Sequence, residues 1–281
     1  MGSTESPFRS RYSRKGKPMT QPIILTWASN ITDRNWLQYA CYFRSVRENS
    51  NQSLAVCLTN GIDAEYRNII EDFGFQIHFM EKPSTGRIFT DRWHHYWSFL
   101  SGFDRSAPVF ISDSRDVIIQ GDPFGFEPRR NIVLSREGFL HKDSPFNMYD
   151  QLQVQKANGG ISMDYYSWDV VNAGVCKGIC ESVRDFCLLM WSNCLVYQNC
   201  TDQAVMNFLV SKIKDDKRVF LSDPRTDSFC LTGEVFKENF LPFEPSLVDG
   251  KVCGSGGNPF LVFHQWDRTI FSNHILKSFL K

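Results

Sequence analysis

Along the first half of the chain, short apolar runs alternate with segments in which apolar residues return every three or four positions. Residues 23–28 (IILTWA) read as a buried strand. Thr32 or Asp33 is then placed to cap a helix running to about Glu48, with Trp36, Tyr39, Ala40 and Phe43 on its inner face. Residues 54–58 predict a second strand, 64–73 a helix closed by Gly74, and 76–80 a third strand. A third helix over 90–102 and a fourth strand over 109–112 follow. Strands alternating with helices imply βαβ units and a mostly parallel sheet. The second half is patterned less regularly. Residues 131–135 and 171–175 predict strands, and 180–191 and 202–212 predict helices, the latter capped by Thr201. A Gly/Ser-rich loop at 253–259 precedes a buried strand over 260–264, and 270–280 predict a terminal helix.

Residues 1–20 break this pattern. They are polar, basic and rich in Pro, Gly and Ser, which predicts a disordered leader before a single α/β domain over 21–281. A chain of 281 residues can bury a sizeable core, and 42% apolar with 22% charged residues is ordinary for a globular protein. The 24 Phe and 7 Trp add a thick core and surfaces on which rings can stack. Formal net charge is zero, so nucleic acid is not an expected partner. No apolar run approaches the ~18–20 residues that span a bilayer, and residues 1–18 lack the apolar stretch of a secretory signal. Nine scattered Cys fit free buried thiols in a reducing cytoplasm, and without a secretory route the sequons at Asn30, Asn51 and Asn199 carry no weight. Met1-Gly2 through Ser6 fits the N-myristoylation pattern, with Arg9, Arg11, Arg14, Lys15 and Lys17 behind it. The same residues describe a solvated tail. The expectation is a soluble cytoplasmic protein whose leader is dispensable, with peripheral membrane association through the N-terminus as the alternative.

Three segments carry candidate chemistry. Asp113 and Asp116 follow the fourth predicted strand, where doubly wound sheets bind ligands. Hard carboxylate oxygens there suit Mg²⁺ or Mn²⁺, although Asp residues also make turns and caps. Asn172-Ala-Gly174 ends another predicted strand and lets backbone approach a ligand, while Asp202 and Gln203 open a helix where polar groups could meet sugar hydroxyls. His264 ends the last apolar run, and it is a metal ligand only if the fold brings it to Asp116; otherwise it is a core histidine.

Taken in order, these segments resemble the GT-A glycosyltransferases, above all the group of glycogenin and the bacterial lipopolysaccharide galactosyltransferases. The resemblance spans about residues 22–269 and implies a Rossmann-like, mostly parallel central sheet flanked by helices, with an irregular C-terminal half. It divides the domain into a donor-binding half, about 21–125, and an acceptor-binding and metal-completing half, about 126–281. It implies transfer of a sugar from a nucleotide diphosphate, UDP-linked, to a glycan or other hydroxyl acceptor, with Mn²⁺ or Mg²⁺ on the diphosphate and retention of configuration. The family's Asp-x-Asp is here Asp113-Ser-Arg-Asp116, one residue longer. Asp116 matches the second family aspartate, Ser114 occupies the place of the first, and Asp113 is left to bind metal or the donor's ribose. His264 corresponds to the ligand that completes the metal site. Thr26, Ala28 and Asn30 match the uridine-binding edge, and Arg92 a basic residue turned toward the donor. Asn172 and Asp202 match donor-sugar contacts, and Gln203 the residue on the reacting face of the sugar. An inverting enzyme would instead need a base, for which Glu137 and Glu234 are the candidates. The non-enzymatic alternative is a sugar- or nucleotide-binding module on the same fold. Aspartyl-nucleophile phosphatases need a different Asp spacing, Gly-rich phosphate loops are absent, and Cys176 with Cys180 has no second pair for zinc.

Overall fold

A computed structural model describes residues 21–81, 85–126, 131–160, 165–236, 241 and 243–279. The leader at 1–20, with its myristoylation pattern, lies outside the described residues. Twelve strands are described: β1 Ile23–Trp27, β2 Leu54–Thr59, β3 Gln76–Phe79, β4 Pro108–Asp113, β5 Val117–Ile119, β6 Ile132–Leu140, β7 Asp169–Ile179, β8 Val219–Ser222, β9 Cys230–Thr232, β10 Ser246–Val248, β11 Lys251–Cys253 and β12 Val262–His264. The α-helices are α1 Trp36–Asn49, α2 Ala64–Asp72, α3 Ile88–Leu100, α4 Pro145–Ala157, α5 Cys180–Val196, α6 Asp202–Ile213 and α7 Ser272–Phe279.

The central sheet runs β3-β2-β1-β4-β7-β6-β8, and every strand is parallel to β1 except β7. Its inner strands are apolar on both faces because both faces are covered. Ile23, Leu25, Leu54, Val56 and Leu58 pack with Trp93, Tyr96 and Phe99 of α3 and with α5 and α6. On the other face Ile24, Ala55 and Cys57 meet Tyr39, Tyr42 and Phe43 of α1 and Ile70 of α2. Strand order steps one way from β1 to β2 and the other way to β4, so the carboxyl ends of β1 and β4 flank a crevice. Register sets Trp27 beside Asp113 at its lip.

A second sheet, β5-β12-β9, closes the crevice from the C-terminal side. β12 pairs antiparallel with β5, His264 opposite Val117, and parallel with β9, His264 opposite Thr232. This pairing carries a residue near the chain's end to the neighbour of Asp116.

The first-half elements lie within a few residues of the expected ranges, and Gly74, at φ +88, closes α2. α1 starts at Trp36 rather than near residue 33, because the Asn35 amide oxygen takes the Thr32 N–H (2.8 Å) and Asp33 accepts from the Tyr66 hydroxyl instead of capping. The second half is more regular than its pattern. β6 reaches Leu140 and β7 runs eleven residues, in place of 131–135 and 171–175. α5 extends to Val196. The Thr201 hydroxyl caps α6 at Ala204 N as expected. α4 carries no apolar period and was not foreseen, although Ser144, whose hydroxyl accepts from Asn147 N, and Pro145 are a helix-start signature. No helix among the described residues is long and apolar enough to cross a membrane.

Gly178 of β7 pairs with Ile132 of β6, and a Cβ there would fall 2.0 Å from the Asn131 carbonyl oxygen, an atom of the backbone. Gly178→Ala should therefore destabilise the chain by ~1–3 kcal/mol. Gly61→Ala, with nothing within 4 Å, serves as the control. Urea unfolding midpoints compare the two; a Gly178→Ala midpoint as high as the control's would show that the strands move apart at no cost.

Candidate active site

The crevice opens into a cleft of about 410 Å³. Its lining includes Asp113, Ser114, Arg115 and Asp116 from the β4–β5 turn, Ala173 and Gly174 of β7, Asp202 and Gln203 of α6, and His264, Gln265 and Arg268 beyond β12. Asp113, Asp116 and His264 each point one ligand atom into a common space, all within 4.8 Å of one another. His264 Nε2 lies 3.8 Å from Asp113 Oδ2 and 3.6 Å from Asp116 Oδ1.

The backbone makes this convergence possible at two positions. A Cβ on Gly174 would stand 2.8 Å from both Asp113 Oδ2 and the His264 ring, so only glycine leaves room for them. Gln265 adopts the left-handed conformation, φ 58, which turns the chain so that its N–H donates to the Asp116 carbonyl oxygen at 2.6 Å. Gly233 permits that turn, since a Cβ there would meet the Gln265 carbonyl oxygen at 2.1 Å.

A buried guanidinium fixes the opposite wall. Arg92 of α3 donates through Nη1 to Asp113 Oδ1 and through Nη2 to Asp202 Oδ2 (2.6 Å), and Trp93 Nε1 donates to the same Asp202 oxygen at 3.2 Å. One planar fork thus ties the end of β4 to the start of α6.

Charge in the cleft is tightly coupled. Burial pushes the Asp113 carboxyl up, and the neighbouring Asp116 charge adds to this against the pull of Arg92. Burial also works against ionised Asp116, yet His264, Arg115 and Arg268 together hold it down to about 2. His264 is disfavoured as a cation by burial, but Asp116 overcomes this and raises its pKa. His264 and Asp116 thus favour one another's charged forms, and a metal ion held among the three groups would take over the imidazole's electrostatic part.

No family model and no curated protein sequence matches the chain. Among solved structures, it is similar to the galactosyltransferase LgtC in complex with donor and acceptor sugar analogues. The TM-score is 0.55 at 13% identity, over 91% of this chain and 95% of that one. An active-site mutant of LgtC gives a TM-score of 0.58 at 13% identity, over 92% and 95%. The bifunctional glycosyltransferase WbbM gives 0.55 at 13% identity, over 92% of this chain and 49% of that one. The chain has the GT-A fold.

On this GT-A scaffold the residues singled out from sequence separate into two groups. Asn30, Arg92, Asp113, Ser114, Asp116, Asp202, Gln203 and His264 line the cleft. Thr26, Ala28, Asn172, Glu137 and Glu234 do not appear in its lining. Thr26 and Ala28 are fully buried, with the Thr26 hydroxyl donating to the Ser112 carbonyl oxygen at 2.7 Å; their neighbours Trp27 and Ser29 face the cleft instead. Asn172 lies behind it, accepting the Gly174 N–H (2.6 Å) and donating to Glu137 Oε1 (2.8 Å). Glu137 is only 1% exposed, and burial raises its pKa. Sequence reasoning missed Tyr39, Phe89, Arg115 and Arg268, all in the lining. Arg115 sat inside the carboxylate motif and could have been read there. Nothing in the sequence signalled Arg268, whose Nη2 lies 3.7 Å from Asp116 Oδ2.

Arg92→Met should lower stability by ~3–5 kcal/mol, because it leaves Asp113 and Asp202 without their shared partner. Arg92→Lys should recover only part of that, since an ammonium cannot fork between two carboxylates. Denaturant unfolding of the three proteins decides; a Lys variant as stable as the parent would mean that charge alone holds the wall.

Proposed function

We propose that this chain is a metal-dependent glycosyltransferase that moves a sugar from a nucleoside diphosphate, UDP being the expected carrier, to a hydroxyl acceptor with retention of configuration. The observation that carries this reading is the meeting of Asp113, Asp116 and His264 at the crevice between β1 and β4 of a GT-A fold. LgtC, of the same fold, was solved with donor and acceptor sugar analogues, which supports the substrate class.

The donor set fits a divalent cation on two counts. Hard carboxylate oxygens with one imidazole nitrogen suit Mn²⁺ or Mg²⁺ better than Ca²⁺, which favours more oxygens. Gly174 also keeps clear the space that any side chain would fill. Asp113, Asp116 and His264 would hold the ion, which when bound neutralises charge growing on the departing diphosphate. Arg92, Arg115 and Arg268 balance Asp113, Asp116 and Asp202 around the cleft. A divalent ion would therefore give the cleft a surplus matched to the two negative charges of a diphosphate ester.

The cleft residues divide the remaining work. Arg115 and Arg268, flanking Asp116, are placed to meet diphosphate oxygens. Asp202, fixed by Arg92 and Trp93, and Gln203 offer fixed polar groups to the sugar. A base that deprotonates an acceptor must reach it. Glu137 is enclosed against Asn172 and acts as a positioning residue behind Gly174, and neither it nor Glu234 reaches the cleft lining. Among the described residues the carboxylates that do line the cleft, Asp113, Asp116 and Asp202, are engaged by Arg92 or His264, and this supports retention over inversion.

UDP release from a panel of UDP-sugars should require added Mn²⁺ or Mg²⁺ and stop in EDTA. Asp116→Ala should lower kcat at least ~100-fold with its melting temperature kept, the scale of losing one charge-stabilising group. His264→Ala should weaken metal affinity in parallel. Full turnover in EDTA, or a folded Asp116→Ala protein keeping most of its kcat, would sink the metal assignment.

NMR of the first-formed product should show the donor's anomeric configuration. An inverted anomer would overturn retention and require a carboxylate in the cleft free to act as base.

A further inference from the structure

α4 is turned inside out. Its buried face is polar, with Asn147, Asp150 and Gln151 packed inward beside Val154, while Phe146, Tyr149 and Leu152 are 62%, 63% and 43% exposed. The inward groups are engaged: Asn147 Oδ1 accepts from Gln203 Nε2 (2.9 Å), Asp150 Oδ2 from the Thr201 hydroxyl (2.6 Å), and Gln151 Nε2 donates to the Ala204 carbonyl oxygen (3.0 Å). The helix therefore anchors the start of α6 at the cleft wall through polar contacts and leaves its apolar stripe without a role inside the fold. Ordinary packing puts such residues the other way round. Exposed apolar patches of this kind mark sites of association.

The stripe does not stand alone. The segment joining α5 to α6 is tied to α3 by Arg87 Nη2, which donates to the Cys200 carbonyl oxygen (3.0 Å), and to α4 by the Tyr197 hydroxyl, which donates to Asn158 Oδ1 (3.5 Å). Val196 at the end of α5 and Phe89 at the cleft mouth are 70% and 60% exposed. Of the eleven large apolar side chains exposed among the described residues, five thus lie on α4, at the end of α5 or at the start of α3, segments joined by these hydrogen bonds.

We infer that this rim, centred on Phe146, Tyr149 and Leu152, docks the protein on an anionic lipid surface with the cleft beside it. Two features favour a bilayer over a glycan or a second protein. Leu152 and Val196 offer no ring to stack on a sugar, and the α4 amide and carboxyl groups of Asn147, Asp150 and Gln151 are committed inward to α6. The stripe is also bracketed by exposed Lys142 and Lys156, one at each end. The acids nearest in sequence are withdrawn: Asp150 is buried, and Asp143 is half-buried and takes the Leu140 N–H (3.3 Å). Apolar and aromatic side chains bracketed by lysines are the pattern of interfacial docking, where apolar insertion adds to attraction for anionic headgroups.

The test needs no enzymatic activity, so its outcome is separate from that of the proposed transfer reaction. The full chain is sedimented with phosphatidylcholine vesicles containing phosphatidylglycerol, and with phosphatidylcholine alone. Basic residues 9–17 of the leader also attract anionic lipid, and this contribution is removed by repeating the measurement at high ionic strength. The parent should partition onto the mixed vesicles and keep part of that binding in high salt. Phe146→Ser/Tyr149→Ser/Leu152→Ser should lose at least tenfold in partitioning, including the salt-resistant part, with an unchanged melting temperature. Lys142→Glu/Lys156→Glu should lower binding to mixed vesicles only. Equal partitioning of the parent and the triple variant would overturn the inference. So would a dimer that the triple variant converts to monomer, which would assign the stripe to a second copy of the chain.

Discussion

The fork of Arg92 is the contact on which the cleft depends. Two carboxylates, Asp113 and Asp202, come from elements 89 residues apart in sequence, and both are drawn onto one guanidinium among Trp93, Ala173 and the sheet. Leaving either carboxylate without that partner would bury an unpaired charge, at a cost of several kcal/mol. Pairing both through a single rigid group fixes the distance between β4 and α6, and so the width of the cleft. It also leaves Asp113 with its second oxygen turned toward His264.

Around this fixed point, the second sheet supplies what the first lacks. β4 ends at Asp113, and the chain then returns as β5, a strand of three residues that would be unstable by itself. β12 on one side and the packing of Ile118, Phe263 and Trp266 hold it in place. Asp116 is caught between these two structures, its side chain facing His264 and its carbonyl oxygen bonded to the Gln265 N–H. The geometry needs an αL residue at 265 and glycines at 174 and 233, and each of these is a local cost accepted for convergence of charged groups.

This division explains how much was legible in the sequence. β1, β2 and β4 are buried on both faces, and a continuous apolar run announces such strands whatever surrounds them. β5, β9 and β12 are three residues each, too short for a period, so the meeting of Asp116 and His264 could be read only from resemblance and not from pattern. Of the residues expected at the uridine edge, Asn30 lines the cleft while Thr26 and Ala28 turn inward, because neighbouring residues point to opposite faces and Trp27 and Ser29 take the cleft. Glu137 and Asn172 stand behind the cleft wall, and a sequence cannot tell such a side chain from one that faces the cleft.

α4 was invisible for a related reason that bears on function. Period-based reading assumes that the buried face of a helix is the apolar one. Here the buried face carries Asn147, Asp150 and Gln151, whose partners at Thr201, Gln203 and Ala204 make it a polar clamp on the first turn of α6. Hydrogen bonds to fixed partners define a position more narrowly than apolar packing, which tolerates sliding. For the proposed transfer, a wall bearing Asp202 and Gln203 would have to hold a sugar's hydroxyls to within fractions of an ångström, and a polar clamp serves that need. The apolar side chains of α4 were then free to face outward. An exposed apolar stripe is thus the geometric counterpart of a helix whose inner face has been committed to positioning the cleft.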